Sequence, residues 1–148
     1  MTGILYPVFL DLRGAPVLVA GAGSVALRKV RGLIKSGASI TVVAPEGRDE
    51  MSALPVRWLH RRFRPSDLRG ASLAFAATND RAVNRRIGVL AGRLGIPVNI
   101  ADSRDECTFQ VPARLHHGGV QIAVSTGGQN PRLATELRSK LEALLRKS

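Results

Sequence analysis

Three stretches of this chain carry residue types that could do chemistry. The first is Gly21-Ala22-Gly23-Ser24-Val25-Ala26, which fits the pattern G-x-G-x-x-G/A. In such a loop one glycine permits a sharp strand-to-helix turn, and another lets the backbone approach a pyrophosphate. A small residue, here Ala26, lets the helix pack closely on its strand. The helix start then offers N–H groups and partial positive charge to phosphates. The second is Asp102, just past the apolar segment IPVNI at 96–100. A carboxylate beyond the C-terminal end of a strand sits where open α/β sheets bind ligands, and could act as a general base. A turn aspartate bonded to its own backbone explains that position equally well. The third is Ser125-Thr126-Gly127-Gly128, leading into a helix with Asn130 as its N-cap. Hydroxyls and free N–H groups at a helix start suit a carboxylate, and an ordinary capped turn accounts for the same residues.

Other candidates carry less. Cys107 is the single cysteine, so no internal disulfide can form; a buried or turn cysteine is a simpler reading than a nucleophile. His116 and His117 stand beside Gly118-Gly119 without a third ligand at metal spacing, and read as exposed turn residues rather than iron ligands. No metal site is expected. A ribose-binding acid is expected ~20 residues after the glycine loop. Here Ala44-Pro45 intervene and Glu46 comes slightly late, while Arg48 could favour a 2′-phosphate. The reading leans to NAD over NADP.

These groups need elements to hold them. The valine-rich PVLVA at 16–20 suits a strand buried on both faces. A helix follows over 25–35, stopped by Gly37, and SITVV at 39–43 is a second strand, completing one βαβ unit. The segment 56–59 reads as a short edge strand and 72–77 as a buried one. Asp80 caps a helix running to about 94, with apolar positions Val83, Ile87, Leu90, Ala91 and Leu94, and 96–100 is the next strand. The alternation predicts an α/β fold, a Rossmann-type parallel sheet, over 1–112. Beyond it, 109–115 and 120–124 read as a hairpin turning at 116–119, and 131–146 as an amphipathic helix. A hairpin and one helix cannot bury their apolar faces alone, so 113–148 is expected to be a dimerisation segment.

Bulk properties narrow the partners. Of 148 residues 45% are hydrophobic, enough for a packed core. No run of ~20 apolar residues could span a membrane. The start MTGILYPVFLDLRG lacks the pattern of a secretory signal, so a cytoplasmic location is expected. Lys and Arg total 22 against 11 Asp and Glu, a formal charge of +11 that favours an anionic partner. The basic residues are dispersed and aromatics make up only 4%, which argues against nucleic acid.

The order of several motifs is also informative. Tyr6-Pro7-Val8-Phe9-Leu10-Asp11-Leu12 precedes the glycine loop, which runs on into Arg28-Lys29. Ala76-Ala77-Thr78-Asn79-Asp80 follows with Asn84, then Val98-Asn99-Ile100-Ala101-Asp102, Phe109 and Pro112. Ile122-Ala123-Val124-Ser125-Thr126-Gly127-Gly128-Gln129-Asn130-Pro131 completes the series, with Leu133-Ala134 and Leu137-Arg138 after it. Together these resemble the precorrin-2 dehydrogenase family, including the N-terminal module of siroheme synthase, over nearly the whole chain.

The resemblance implies NAD-dependent dehydrogenation of precorrin-2 to sirohydrochlorin, with Fe2+ insertion to give siroheme in some members. It implies a catalytic role for Asp102. It puts NAD contacts at Gly21, Gly23, Ser24, Val25, Pro45, Glu46 and Thr78. It assigns Ser125, Thr126, Gly127 and Gly128 to the dimerisation part that helps form the tetrapyrrole cleft, in an intertwined homodimer. The chain stops at Ser148, short of a helical region that many relatives carry, which bears more on chelation than on dehydrogenation. No methyltransferase module is present, so precorrin-2 would come from another protein. Precorrin-2 bears eight carboxylates, which gives the excess positive charge a reason; Arg28, Lys29 and Arg114 are the contributors considered. The competing reading is an NAD-sensing regulatory domain without catalysis.

Overall fold

Valine-rich segments spaced by helices assemble, in the computed structural model, into a five-stranded parallel sheet. The structure describes residues 4–148. The sheet is built from β1 (Pro16–Ala20), β2 (Ser39–Val43), β3 (Arg57–Leu59), β4 (Leu73–Ala76) and β5 (Val98–Ile100). Their spatial order is β3-β2-β1-β4-β5, and every neighbouring pair is parallel. Helix α1 (Ser24–Lys35) joins β1 to β2, and α2 (Arg81–Arg93) joins β4 to β5. The sheet belongs to a compact unit spanning Val8–Phe109. Among the described residues no helix is long and apolar enough to cross a membrane.

Alternation along β1 divides the core into two layers. Val17 and Val19 join Ala26, Leu27, Val30 and Leu33 of α1, with Ile40, Val42 and Phe75. Leu18 and Ala20 point the other way, to Ile87 and Ala91 of α2, with Ala74, Ala76, Val98 and Ile100. A strand covered by helices on both faces needs apolar residues at every position, which explains the unbroken PVLVA run. Between β3 and β4 a 3-10 turn, Pro65–Leu68, drives Leu68 into the second layer.

That turn is tied down by a nearly buried carboxylate. Asp67 accepts two bonds from the Arg61 guanidinium, at 2.9 and 2.7 Å, and one from the Arg64 backbone N–H at 2.7 Å. Burial disfavours its ionised form, but the bonds from Arg61 and Arg64 more than offset this and hold its carboxyl below the ordinary aspartate value. Because the folded value is depressed, the stabilisation is complete above the ordinary value near 3.8 and disappears as pH falls through the folded one. Asp67→Asn is therefore expected to cost about 1–3 kcal/mol at neutral pH. Thermal unfolding measured from neutral pH down to pH ~3 should show the gap between wild type and variant closing on the acid side.

A second compact unit comprises Gln110–Ser148 with the described residues up to Pro7. It holds an antiparallel hairpin, β6 (Ala113–His117) and β7 (Val120–Val124), and α3 (Pro131–Arg146). Asn130 caps α3 by accepting the Leu133 N–H at 3.0 Å. The hairpin differs from the expectation at both ends. Its first strand begins at Ala113 rather than near 109, because Thr108 and Phe109 are part of the Val8–Phe109 unit. There the Thr108 N–H donates to the Val98 carbonyl at 2.9 Å, and Phe109 lies edge-on to Phe75 with ring centroids 5.4 Å apart. The turn is tighter than expected, since Gly118 and Gly119 take φ of +56° and +82° and reverse the chain in two residues. His116 and His117 are therefore the last strand residues, paired with Gln121 and Val120, and not turn residues. Neighbouring strand residues point to opposite faces, so the two imidazoles do not converge.

Candidate active site

Chain order reverses between β1 and β4, and in open α/β sheets the crevice beyond the strand ends at such a point is where ligands bind. A cleft of about 190 Å³ opens there, lined by Gly23, Ser24 and Val25 after β1, Ala77, Thr78 and Asn79 after β4, and Ala101 and Asp102 after β5. Three separate strand ends thus converge on one space.

The glycine loop is shaped by its neighbours. Gly21 donates its N–H to the Val43 carbonyl at 3.0 Å and takes φ of +112°. A Cβ on it would lie 2.2 Å from the Ala77 carbonyl oxygen. Gly23 is different: it is exposed, its φ of −81° suits any residue, and a Cβ there would meet nothing within 4 Å. It stands at the N-cap of α1, which has neither a side-chain cap nor an acidic residue in its first turn. The first N–H groups of a helix have no partner inside it. An uncapped helix start beside an open glycine fits the pyrophosphate of a dinucleotide.

The loop after β2 braces this cradle. The Arg48 N–H donates to the Ala22 carbonyl at 2.8 Å, and a Cβ on Gly47 would come within 2.3 Å of the Ala22 side chain. Pro45 and Glu46 are exposed at the end of β2 and do not line the cleft. The Arg48 guanidinium lies 3.9 Å from Glu50. Trp58 donates its indole N–H to the Ala44 carbonyl at 3.0 Å, which fixes the end of β2 against β3.

Asp102 is held by two partners on α2. Its Oδ1 is 2.5 Å from Arg81 and its Oδ2 accepts from the Asn84 amide at 3.1 Å. Arg81 also bonds to Glu106, so one guanidinium bridges two carboxylates. Asn84 is fully buried, and its other bonds run to Thr78: its Oδ1 accepts from the Thr78 N–H at 3.1 Å and hydroxyl at 2.7 Å, while its amide donates to the Thr78 carbonyl at 3.0 Å. Cys107 is likewise engaged: its sulfur accepts the Ile100 N–H at 3.0 Å.

Of the residues expected from sequence, the cleft gathers Gly23, Ser24, Val25, Thr78 and Asp102, with Gly21 buried behind it. Ser125 to Gly128 lie in the other compact unit. There Ser125 Oγ accepts the Gly127 N–H at 3.0 Å and Thr126 Oγ1 accepts the Asn130 N–H at 2.9 Å, so both hydroxyl oxygens are used within their own turn. Lys29 reaches over the Phe75 ring, 5.6 Å from its centroid. Arg81 and the bonding role of Asn84 were not anticipated. The available signal was an amide among apolar positions: Asn84 shares the buried face of α2 with Ile87 and Ala91, where a carbon side chain is the rule.

Comparison with known proteins agrees with this geometry. Residues 8–113 match the family described as "Putative NAD(P)-binding", and residues 117–144 match "Sirohaem biosynthesis protein central". The siroheme synthase of Neisseria meningitidis serogroup C (strain 053442) is 46% identical over 144 residues, covering 95% of this chain and 30% of that protein. The siroheme synthase of Nitrosomonas europaea is 44% identical with the same 30% share. The chain thus spans about a third of the length of these relatives. Among solved structures, SirC, a precorrin-2 dehydrogenase, superposes with a TM-score of 0.80 at 33% identity, covering 95% of this chain and 71% of SirC. A parallel sheet followed by a hairpin and helix is thus shared along almost the full chain, and the protein belongs to the family of precorrin-2 dehydrogenases and siroheme synthases, with an NAD(P)-binding domain as its first unit.

Proposed function

We propose that this chain oxidises precorrin-2 to sirohydrochlorin, with NAD as the hydride acceptor. The observation that carries the reading is that Asp102 and the glycine loop line one cleft. The oxidation removes one hydride and one proton from the macrocycle, and a bound nicotinamide supplies the acceptor for the hydride. The protein positions the reactants and takes the proton. Gly23 and the uncapped N–H groups opening α1 hold the pyrophosphate, and Thr78 borders the cleft on the β4 side. Asp102 accepts the proton, with Arg81 as its counter-charge and Asn84 fixing its second oxygen. Exposed Glu46 at the end of β2 supports NAD through the ribose hydroxyls, and the lean of Arg48 toward Glu50 fits the same preference.

The same carboxylate is proposed to accept pyrrole protons where Fe2+ serves as a further substrate. The domain division proposed is a cofactor unit to about 112 and a pairing segment at 113–148, working as a homodimer in the cytoplasm. Supporting the pairing, α3 exposes Leu133, Leu137 and Leu144 at 41%, 39% and 62%. Ser125 to Gly128 are proposed to reach substrate carboxylates through the Ser125 and Thr126 hydroxyls, whose oxygens accept within the turn while their O–H groups can still donate.

The test is to supply precorrin-2 with NAD+ or NADP+ and follow sirohydrochlorin absorbance and NAD(P)H together. Equimolar appearance of both, faster with NAD+, is the expected result. Cofactor binding with no turnover would favour the sensing domain instead. Adding Fe2+ to the product tests chelation, and sedimentation of the protein tests the dimer.

A further inference from the structure

We propose that Asn84 is a positioning residue that fixes Asp102 and links it to the cofactor side of the cleft through Thr78. This rests on the dehydrogenase reading above. Every polar atom of the Asn84 side chain is committed, and the pattern leaves one orientation. Its oxygen takes two donors from Thr78, so its nitrogen must face the two acceptors, the Thr78 carbonyl and Asp102 Oδ2. A buried amide costs free energy unless its bonds are made, and an apolar residue would fill this face of α2 without that demand. The amide thus spans from the second residue after β4 to the second residue after β5, the two walls that meet at the cleft. Removing it leaves the Asp102 carboxylate held through one oxygen by Arg81 and unties Thr78 at the same time.

The surroundings of Asp102 define what a change at Asn84 must alter. From α2 it is faced by Arg81, which also holds Glu106 of the 3-10 turn Arg104–Glu106. Asn84 donates to Asp102 as a neutral group, where Arg81 does so as a cation. Asn84→Asp keeps the shape and sets a second carboxyl 3.1 Å from the first. Two such groups do not both ionise readily, so the pair retains a proton to higher pH.

The experiment uses the full chain in two variants and two readouts. With carbon-13 labelling, the Asp102 side-chain carboxyl signal, assigned against Asp102→Asn, is titrated in wild type and in Asn84→Asp. Its midpoint should move to higher pH in the variant, whether or not precorrin-2 is ever turned over. In turnover, the acid limb of kcat/KM should move the same way, and Asn84→Ala should lose about 10- to 100-fold in kcat measured at saturating cofactor. A residue that only supports the fold would lower melting temperature and leave kcat of the folded Asn84→Ala protein at saturating cofactor in place. An unshifted Asp102 midpoint in Asn84→Asp, or wild-type kcat in Asn84→Ala, overturns the proposal. An inactive wild type with a shifted midpoint would instead overturn the dehydrogenase reading alone.

Discussion

Gly23→Val is expected to leave a folded protein that no longer binds its cofactor, whereas Gly21→Ala is expected to remove the fold along with the binding. The two glycines belong to one loop but meet different constraints. At Gly21 the backbone sits at φ of +112°, a region that costs an L-residue about 1–3 kcal/mol. The added carbon would also sit 2.2 Å from the Ala77 carbonyl oxygen, so β1 and the end of β4 would have to separate. Strain and lost strand contacts together approach the ~5–15 kcal/mol that holds a domain folded. At Gly23 neither constraint applies: the space is open and the backbone ordinary. A valine there fills the place a pyrophosphate needs and screens the first N–H groups of α1. Each charge-assisted bond lost is worth about 1.5–3 kcal/mol, so two or more imply a loss of about 100-fold or greater in affinity. Melting temperature and NADH titration on both variants separate the effects. Normal binding by Gly23→Val would remove the glycine loop from the cofactor site.

The contrast also shows how legible this molecule is from its residues. The order strand, glycine loop, helix, strand is written in local signals, because PVLVA must be buried on both sides and Gly37 ends α1 with a positive φ. The edge position of β3 was likewise readable from its short, half-polar segment. The start of the hairpin was not, since the pull that holds Thr108 and Phe109 to β5 and Phe75 is tertiary and leaves no periodicity. In the candidate site, Asp102 could be suspected from its place after an apolar strand. Its partners could not: Arg81 and Asn84 precede it by about twenty residues, and only the parallel pairing of β4 with β5 brings the start of α2 to the end of β5. An arginine on a helix is ordinarily a solvated cation. Its bridging of Asp102 and Glu106 is a consequence of topology, not of local sequence.

The second large effect is expected at Asp102 itself. Asp102→Ala should lower turnover of precorrin-2 by about 10²–10⁴-fold, the range for loss of a positioned general base. Stability should fall by about 1–3 kcal/mol, because the ion pair with Arg81 lies near the surface, where such pairs contribute about 0–1 kcal/mol, while buried Asn84 loses one of its two acceptors. Arg81 keeps Glu106 as a partner, so no cation is stranded. Cofactor affinity should be unaffected, since the glycine loop makes none of its bonds with Asp102. Asp102→Asn sharpens the test: it preserves size and keeps one oxygen for Arg81 or Asn84, with an NH2 group in place of the other, and it cannot accept a proton at neutral pH. If Asn retains most of the rate while Ala loses it, the residue orients the macrocycle and the proton leaves to water. If both lose it equally, the carboxylate is the base. Single-turnover conversion with bound NAD+ makes the distinction cleanly, because product release then plays no part in the observed rate.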